Sequence, residues 1–195
     1  MADNAPVPLR ITICGLDELA GCGARGITHV LSLLDPGWPE PEPLRDFDVH
    51  RRLKLHFHDV IEPAAGLVAP QSWDVGVLLA FGRGIAPPAD LESVHLLIHC
   101  HAGISRSTAA AILVLAQHEP QRSAVRVVRE VVRLRPRAWP NLRMIELGDP
   151  LLGRRGEIVR AVRAHYREAL DREPWLAEAM IDGGRGREVI AADQP

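Results

Sequence analysis

The sequence predicts an α/β domain: a small, mostly parallel central sheet of about four to five strands flanked by helices, with a helical C-terminal half. Two patterns predict it. Up to about residue 98, short apolar runs alternate with stretches of helical character. Beyond that point only helical segments follow. The length, 195 residues, suits a single domain with a full core. Residues 1–182 are expected to form that domain and residues 183–195 a flexible tail, because Gly183, Gly184 and Gly186 open the latter.

In chain order, residues 9–14 read as the first strand. Residues 16–22 read as a short helix closed by Gly21 and Gly23. Residues 27–34 are a second, buried strand stopped by Asp35-Pro36-Gly37, and a proline-rich loop follows over residues 38–43. Residues 50–58 alternate enough to be a third strand ending at Asp59. A loop with Pro63, Gly66 and Pro70 leads to a helix over 71–82, and Pro87-Pro88 breaks the chain before a fourth strand over 94–98. Helices are then expected over 105–118, 123–134, 141–152 and 156–171, with a further turn or two over 175–181.

Composition narrows the function. The net charge of −2 gives no electrostatic footprint for nucleic acid. Lys54 is the only lysine, so arginine carries nearly all the positive charge. The arginines between Arg122 and Arg137 alternate with Val and Leu as on a solvated helix face. Three cysteines are too few for a disulfide framework. Residues 1–6 lack the basic and apolar regions of a signal peptide, and the apolar run over 109–116 is too short for a bilayer. The expectation is a cytoplasmic protein with free thiols, no membrane contact and no cofactor.

The chemistry-bearing stretch is His99-Cys100-His101-Ala102-Gly103-Ile104-Ser105-Arg106-Ser107. An apolar strand leads into it, and Thr108-Ala109-Ala110-Ala111 leads out as good helix formers. A tight loop between strand and helix can turn successive backbone N–H groups toward one anion, with the positive end of the helix dipole behind them. The same field favours a thiolate nucleophile at Cys100. Both Cys100 and Asp59 fall at predicted strand ends, so a parallel sheet would bring them to one edge.

These residues resemble the signature of the cysteine-based protein tyrosine phosphatases, a cysteine and an arginine six positions apart followed by a hydroxyl residue. The compactness of the chain resembles the dual-specificity branch and its small bacterial relatives. Residues 11–33, and Arg135-Pro136-Arg137-Ala138-Trp139-Pro140-Asn141, resemble that branch's early strand–helix–strand and a later element, so about residues 9–155 are covered. The resemblance implies a phosphatase fold and a cysteinyl-phosphate mechanism, with a phosphorylated protein or a small phosphoester as substrate. Cys100 would attack phosphorus. Arg106 would bind phosphoryl oxygens as a fork. His101, Ala102, Gly103, Ile104, Ser105 and Arg106 would cradle the phosphate, and Ser107 would donate to the departing sulfur. His99 would shape the loop and help hold the thiolate. Asn141 would reach back to the loop, and its position also makes it an ordinary N-cap. Asp59 would be the general acid and then the base, with Glu62 as the alternative. The 41 residues from Asp59 to Cys100 exceed the family's usual spacing, and residues 86–93 read as an extra loop. Cys14 and Cys22 read as small core hydrophobes; by resemblance, Cys14 is the one thiol that could protect Cys100 as a disulfide.

The pairs His56/His58 and His99/His101, with Asp59, allow a rival reading as a metallohydrolase, and an inactive phosphate-binding module is a second rival. The loop positions 101, 102, 104 and 105 carry no lysine, where relatives acting on inositol phosphates carry them. The substrate expectation is therefore phosphotyrosine, with phosphoserine or phosphothreonine, and a lipid or small-molecule phosphoester as the alternative.

Overall fold

The structure is a computed structural model that describes residues 8–47, 50–86 and 93–194. Four strands form one sheet: β1 (Leu9–Cys14), β2 (His29–Leu34), β3 (Arg51–His56) and β4 (Val94–His99). The order is β1-β4-β2-β3 and every pair is parallel. The central strands β2 and β4 are buried at all six positions, as expected of mainly apolar strands covered on both faces, and they bury His29, Ser32, His95 and His99 as well. The edge strand β3 is largely exposed, with Leu55 its one buried residue. Pro87-Pro88 lies outside the described residues.

Side chains alternate across the sheet and so divide the core in two. Leu31 and Leu33 of β2 and Leu96 and Ile98 of β4 face a large cluster built with the helices; Val30 and Leu97 face a smaller one with Cys14, Leu19, Cys22, Ile27 and Leu44. The large cluster is closed by α1 (Ser72–Arg83), α2 (Arg106–His118), α3 (Ala124–Leu134), α4 (Leu142–Leu151) and α5 (Glu157–Arg172). Two 3-10 segments, Leu19–Arg25 and Glu42–Asp46, cover the smaller one. The helix expected at 16–22 is thus a 3-10 segment displaced toward Arg25. Gly21 and Gly23 lie inside it and Gly26 ends it at φ +66°, too glycine-rich a stretch for an α-helix to propagate.

Helix α2 is the hub. It is buried continuously from Arg106 to Ala116, which explains its run of alanines. Helix α4 approaches it so closely that a Cβ on Gly148 would lie 2.4 Å from the Leu113 side chain.

The expected flexible tail is not one. Helix α6 (Trp175–Asp182) leads through a turn, with Gly184 at φ +74°, into α7 (Gly186–Ala192). Helix α7 packs on α5 and α6 and buries Glu188, Ala191 and Ala192. The glycines form a tight connection rather than a frayed end. What anchors it is a buried carboxylate, which no local apolar pattern announces.

Asp149, 2% exposed, accepts from the backbone N–H groups of Gly156 and Ile158 and so caps the start of α5 from α4. Asp149→Ala leaves these donors buried without an acceptor. It is expected to lower the unfolding free energy by about 1–3 kcal/mol in urea denaturation, with no change in m-value.

Candidate active site

The parallel sheet places four chain segments at one edge, where β1, β2, β3 and β4 run out at Gly15, Asp35, Phe57 and Cys100. At its centre lies the loop of residues 101–105, whose carbonyls are all tied outward. His101 O accepts from Leu16 N (2.9 Å), Ile104 O from Trp139 N (2.9 Å) and Ser105 O from Asn141 N (3.3 Å). Arg135 takes the remaining two, with Nη2 on Ala102 O (2.9 Å) and Nε on Gly103 O (3.0 Å), and is itself held by Glu18 (2.7 Å). No amide N–H of residues 101–105 donates to a protein acceptor among the described residues. Outward carbonyls with unused amides are the arrangement of an anion cradle. Gly103 is required twice over: its φ is +70°, and a Cβ would fall 2.5 Å from the Cys14 carbonyl carbon.

Cys100, 2% exposed, has its sulfur 3.2 Å from Ser107 Oγ, the pairing the sequence suggested. Arg106 is equally buried. Its Nη1 donates to Asp35 Oδ1 (2.7 Å) and to Phe57 O (2.6 Å), while its buried Nε has no partner. The guanidinium is therefore fixed from one side and still has a donor to give. An oxyanion beside Cys100 would satisfy it.

Asp35 was missed in the sequence, although it carries the same signal as Asp59, a carboxylate just past an apolar strand. It reads there as a turn residue before Pro36-Gly37. It also lies 3.6 Å from His101 Nε2. The ring of Trp38 packs edge-on against His101, with centroids 4.3 Å apart, and is 44% exposed. Burial lowers the His101 pKa first, and the Arg106 charge adds to this against the opposing pull of Asp35.

Asp59 meets the loop. Its Oδ1 accepts from Ser105 Oγ (2.7 Å), Asn141 Nδ2 (2.9 Å) and Arg185 Nη1 (3.0 Å). None of these donors reaches Oδ2, and the side chain is 30% exposed. Burial alone would raise its pKa; the charges of Arg185 and Arg106 and the hydrogen bonds from Ser105 and Asn141 outweigh that and hold it below the ordinary carboxylate value. The side chain of Ser105, one of the expected cradle residues, donates to this carboxylate. Asn141 is the expected N-cap, with Oδ1 accepting from Met144 N (3.0 Å). Its Nδ2 reaches Asp59 rather than the phosphate loop, and only its backbone N–H touches the loop. Glu62, the alternative acid, pairs with Arg187.

His99 does not contact the sulfur through its ring. Its Nε2 bonds Ser32 Oγ across the sheet at 2.6 Å, and burial, then the Arg52 charge, pushes its pKa down to about 4. Cys14 and Cys22 lie in the smaller core cluster as free thiols. Burial, then Cys22, raises the Cys14 pKa, which works against a resolving thiolate. Of the histidines in the rival metal reading, His58 Nδ1 accepts from Val68 N and His99 Nε2 pairs with Ser32; among the described residues no group of three potential ligands is placed to hold a metal.

No family model matches the sequence, nor does any curated protein. Solved structures do share the fold. Tk-PTP in its active form is 22% identical, with 79% of this chain and 99% of that chain covered and a TM-score of 0.52. Human DUSP28 is 15% identical over 77% and 96% of the two chains, with a TM-score of 0.53. PTPMT1, in complex with PI(5)P, is 12% identical over 74% and 91%, with a TM-score of 0.51. The architecture is thus that of the cysteine-based tyrosine and dual-specificity phosphatases.

Two outcomes follow from the loop and its support. Gly103→Ala forces the loop against Cys14 and is expected to abolish binding of inorganic phosphate or vanadate in calorimetry, with about 1–3 kcal/mol of lost stability. His99 binds fewer protons folded than unfolded between its ordinary value of 6.5 and about 4, so its contribution is present above 6.5 and lost as pH falls to about 4. Unfolding free energy should decline by on the order of 3 kcal/mol across that window, and His99→Gln should flatten the decline.

Proposed function

We propose that the protein is a cysteine-dependent phosphoric monoester hydrolase acting on phosphotyrosine, with phosphoserine or phosphothreonine as further substrates. The observation that carries the reading is the empty set of donors around Cys100: five successive loop amides and the buried Arg106 Nε, none with a protein acceptor. They suit the equatorial oxygens of a phosphoryl group and the charge that spreads over them in the transition state.

In this reading the Cys100 sulfur attacks phosphorus as the P–O bond to the leaving group breaks. Asp59, anchored through Oδ1, gives a proton from Oδ2 to the departing oxygen. In the second half the Asp59 carboxylate takes a proton from water as that water attacks phosphorus, and the sulfur leaves with a hydrogen bond from Ser107. Arg185 and Arg106 hold the free carboxyl ionised. The negative charge of an arriving phosphoester acts in the opposite direction and favours the protonated form that the first step uses.

The substrate class rests on what surrounds the cradle. No lysine stands in the loop, so the pocket offers one arginine and backbone dipoles, enough for a single phosphate. The exposed Trp38 ring beside His101 offers an apolar wall for a phenyl ring. A lipid or small-molecule phosphoester is the alternative, and PTPMT1, which shares the fold, is known in complex with PI(5)P. The proposed setting is cytoplasmic. Among the described residues no helix is long and apolar enough to cross a membrane.

Cys100→Ser is expected to remove turnover of phosphotyrosine peptides, while EDTA leaves it intact and vanadate inhibits it. Asp59→Asn should slow aryl phosphates with poor leaving groups by about 10²–10⁴-fold and activated ones far less. Equal slowing across leaving groups contradicts the acid role, and faster turnover of inositol phosphates than of phosphotyrosine peptides contradicts the substrate class.

A further inference from the structure

The geometry points to Arg185, between α6 and α7, as a positioning residue that fixes the general acid in its working orientation. The inference rests on the phosphatase reading above and adds a residue outside the signature loop.

Arg185 sits between two carboxylates. Its Nε and Nη2 form a fork on Glu188, each at 2.7 Å, and its Nη1 reaches Asp59 Oδ1 at 3.0 Å. Glu188 is fully buried and accepts as well from Trp139 Nε1 (2.6 Å) and Leu142 N (2.9 Å). The arginine is thus clamped to groups that cannot move without breaking the core, and its remaining nitrogen is aimed at the acid. Next to it, Arg187 donates to Ile61 O (3.1 Å) and pairs with Glu62 and Glu146. Two arginines of one short segment therefore hold the chain that carries Asp59.

The consequence for the acid is asymmetric. With Ser105, Asn141 and Arg185 all on Oδ1, the carboxyl cannot rotate freely, and Oδ2 is the oxygen left to carry the proton. The charged and titratable groups that face Asp59 are Arg185 from this segment, Arg106 from the start of α2 and His101 from the loop. Of these, Arg185 alone donates directly to the carboxylate.

The test compares Arg185→Met and Arg185→Lys with wild type, alone and in the Asp59→Asn background, on aryl phosphates with good and poor leaving groups. Lysine keeps the charge opposite buried Glu188, so it reports on geometry even where methionine unfolds the chain. The expected result is a loss of about tenfold or more in kcat for poor leaving groups, little loss for good ones, and no further loss once Asp59 is Asn. The alkaline limb of the kcat/KM profile, which reports protonated Asp59, should move to higher pH in Arg185→Met. Equal losses across leaving groups, losses that multiply with that of Asp59→Asn, or an unmoved limb overturn the inference. So does unfolding of both variants, which would make Arg185 a residue of the core alone. If Cys100→Ser remains active, the phosphatase reading itself fails; if it is inactive while both Arg185 variants behave as wild type, only this inference fails.

Discussion

Everything at the site depends on the direction in which one short stretch of backbone faces. A loop of five residues has five amides and five carbonyls to satisfy, and an anion site needs the amides unspent. Here the carbonyls are consumed by groups outside the loop: Leu16 N, Nε and Nη2 of Arg135, Trp139 N and Asn141 N. Arg135 is secured by Glu18, whose other oxygen accepts from Gly15 N (2.7 Å). The loop is thereby fixed from the segment after β1 and from the segment between α3 and α4. Its amides are left facing inward by the scaffold itself, and if the loop binds an anion as proposed, that meets the condition for electrostatic preorganisation.

The same logic extends to the two charged side chains. Arg106 is buried, a costly state for a cation unless its donors are met. Asp35 and Phe57 O satisfy one nitrogen and orient the rest. Glu188 is the opposite case, a carboxylate with no solvent contact, made tolerable by the Arg185 fork, Trp139 Nε1 and Leu142 N. Breaking either set would leave an unpaired buried charge. The ion pairs at the site therefore act less as sources of stability than as devices that give each functional group one geometry.

The fold was legible because its signals were local and strong. The short, mainly apolar runs of β2 and β4, bounded by turn residues, read as buried strands, and the glycine, arginine and hydroxyl offsets after Cys100 pointed to an anion loop between strand and helix. The Asn141 cap followed from its position before α4, and the Cys100–Ser107 contact from the resemblance. What was not legible is long-range. Asp35 looks like a turn residue until β2 is seen to end beside Arg106. The side chain of Ser105 donates to Asp59, which sequence offsets cannot tell. Arg185 and Glu188 lie behind two glycines in what reads as a polar tail, and their importance comes from partners 126 and 49 residues away, Asp59 and Trp139. A buried charge is specified by its tertiary partners, not by periodicity.

The central claim, that Cys100 in this cradle is the nucleophile, has a direct test. The protein is quenched in acid while turning over an aryl phosphate, digested, and its peptides are weighed by mass spectrometry. The account predicts one phosphoryl group on the peptide that contains Cys100, lost on treatment that cleaves thiophosphate esters and absent from Cys100→Ser. A phosphoryl group on a histidine or aspartate, or turnover without any phosphorylated peptide, would contradict it.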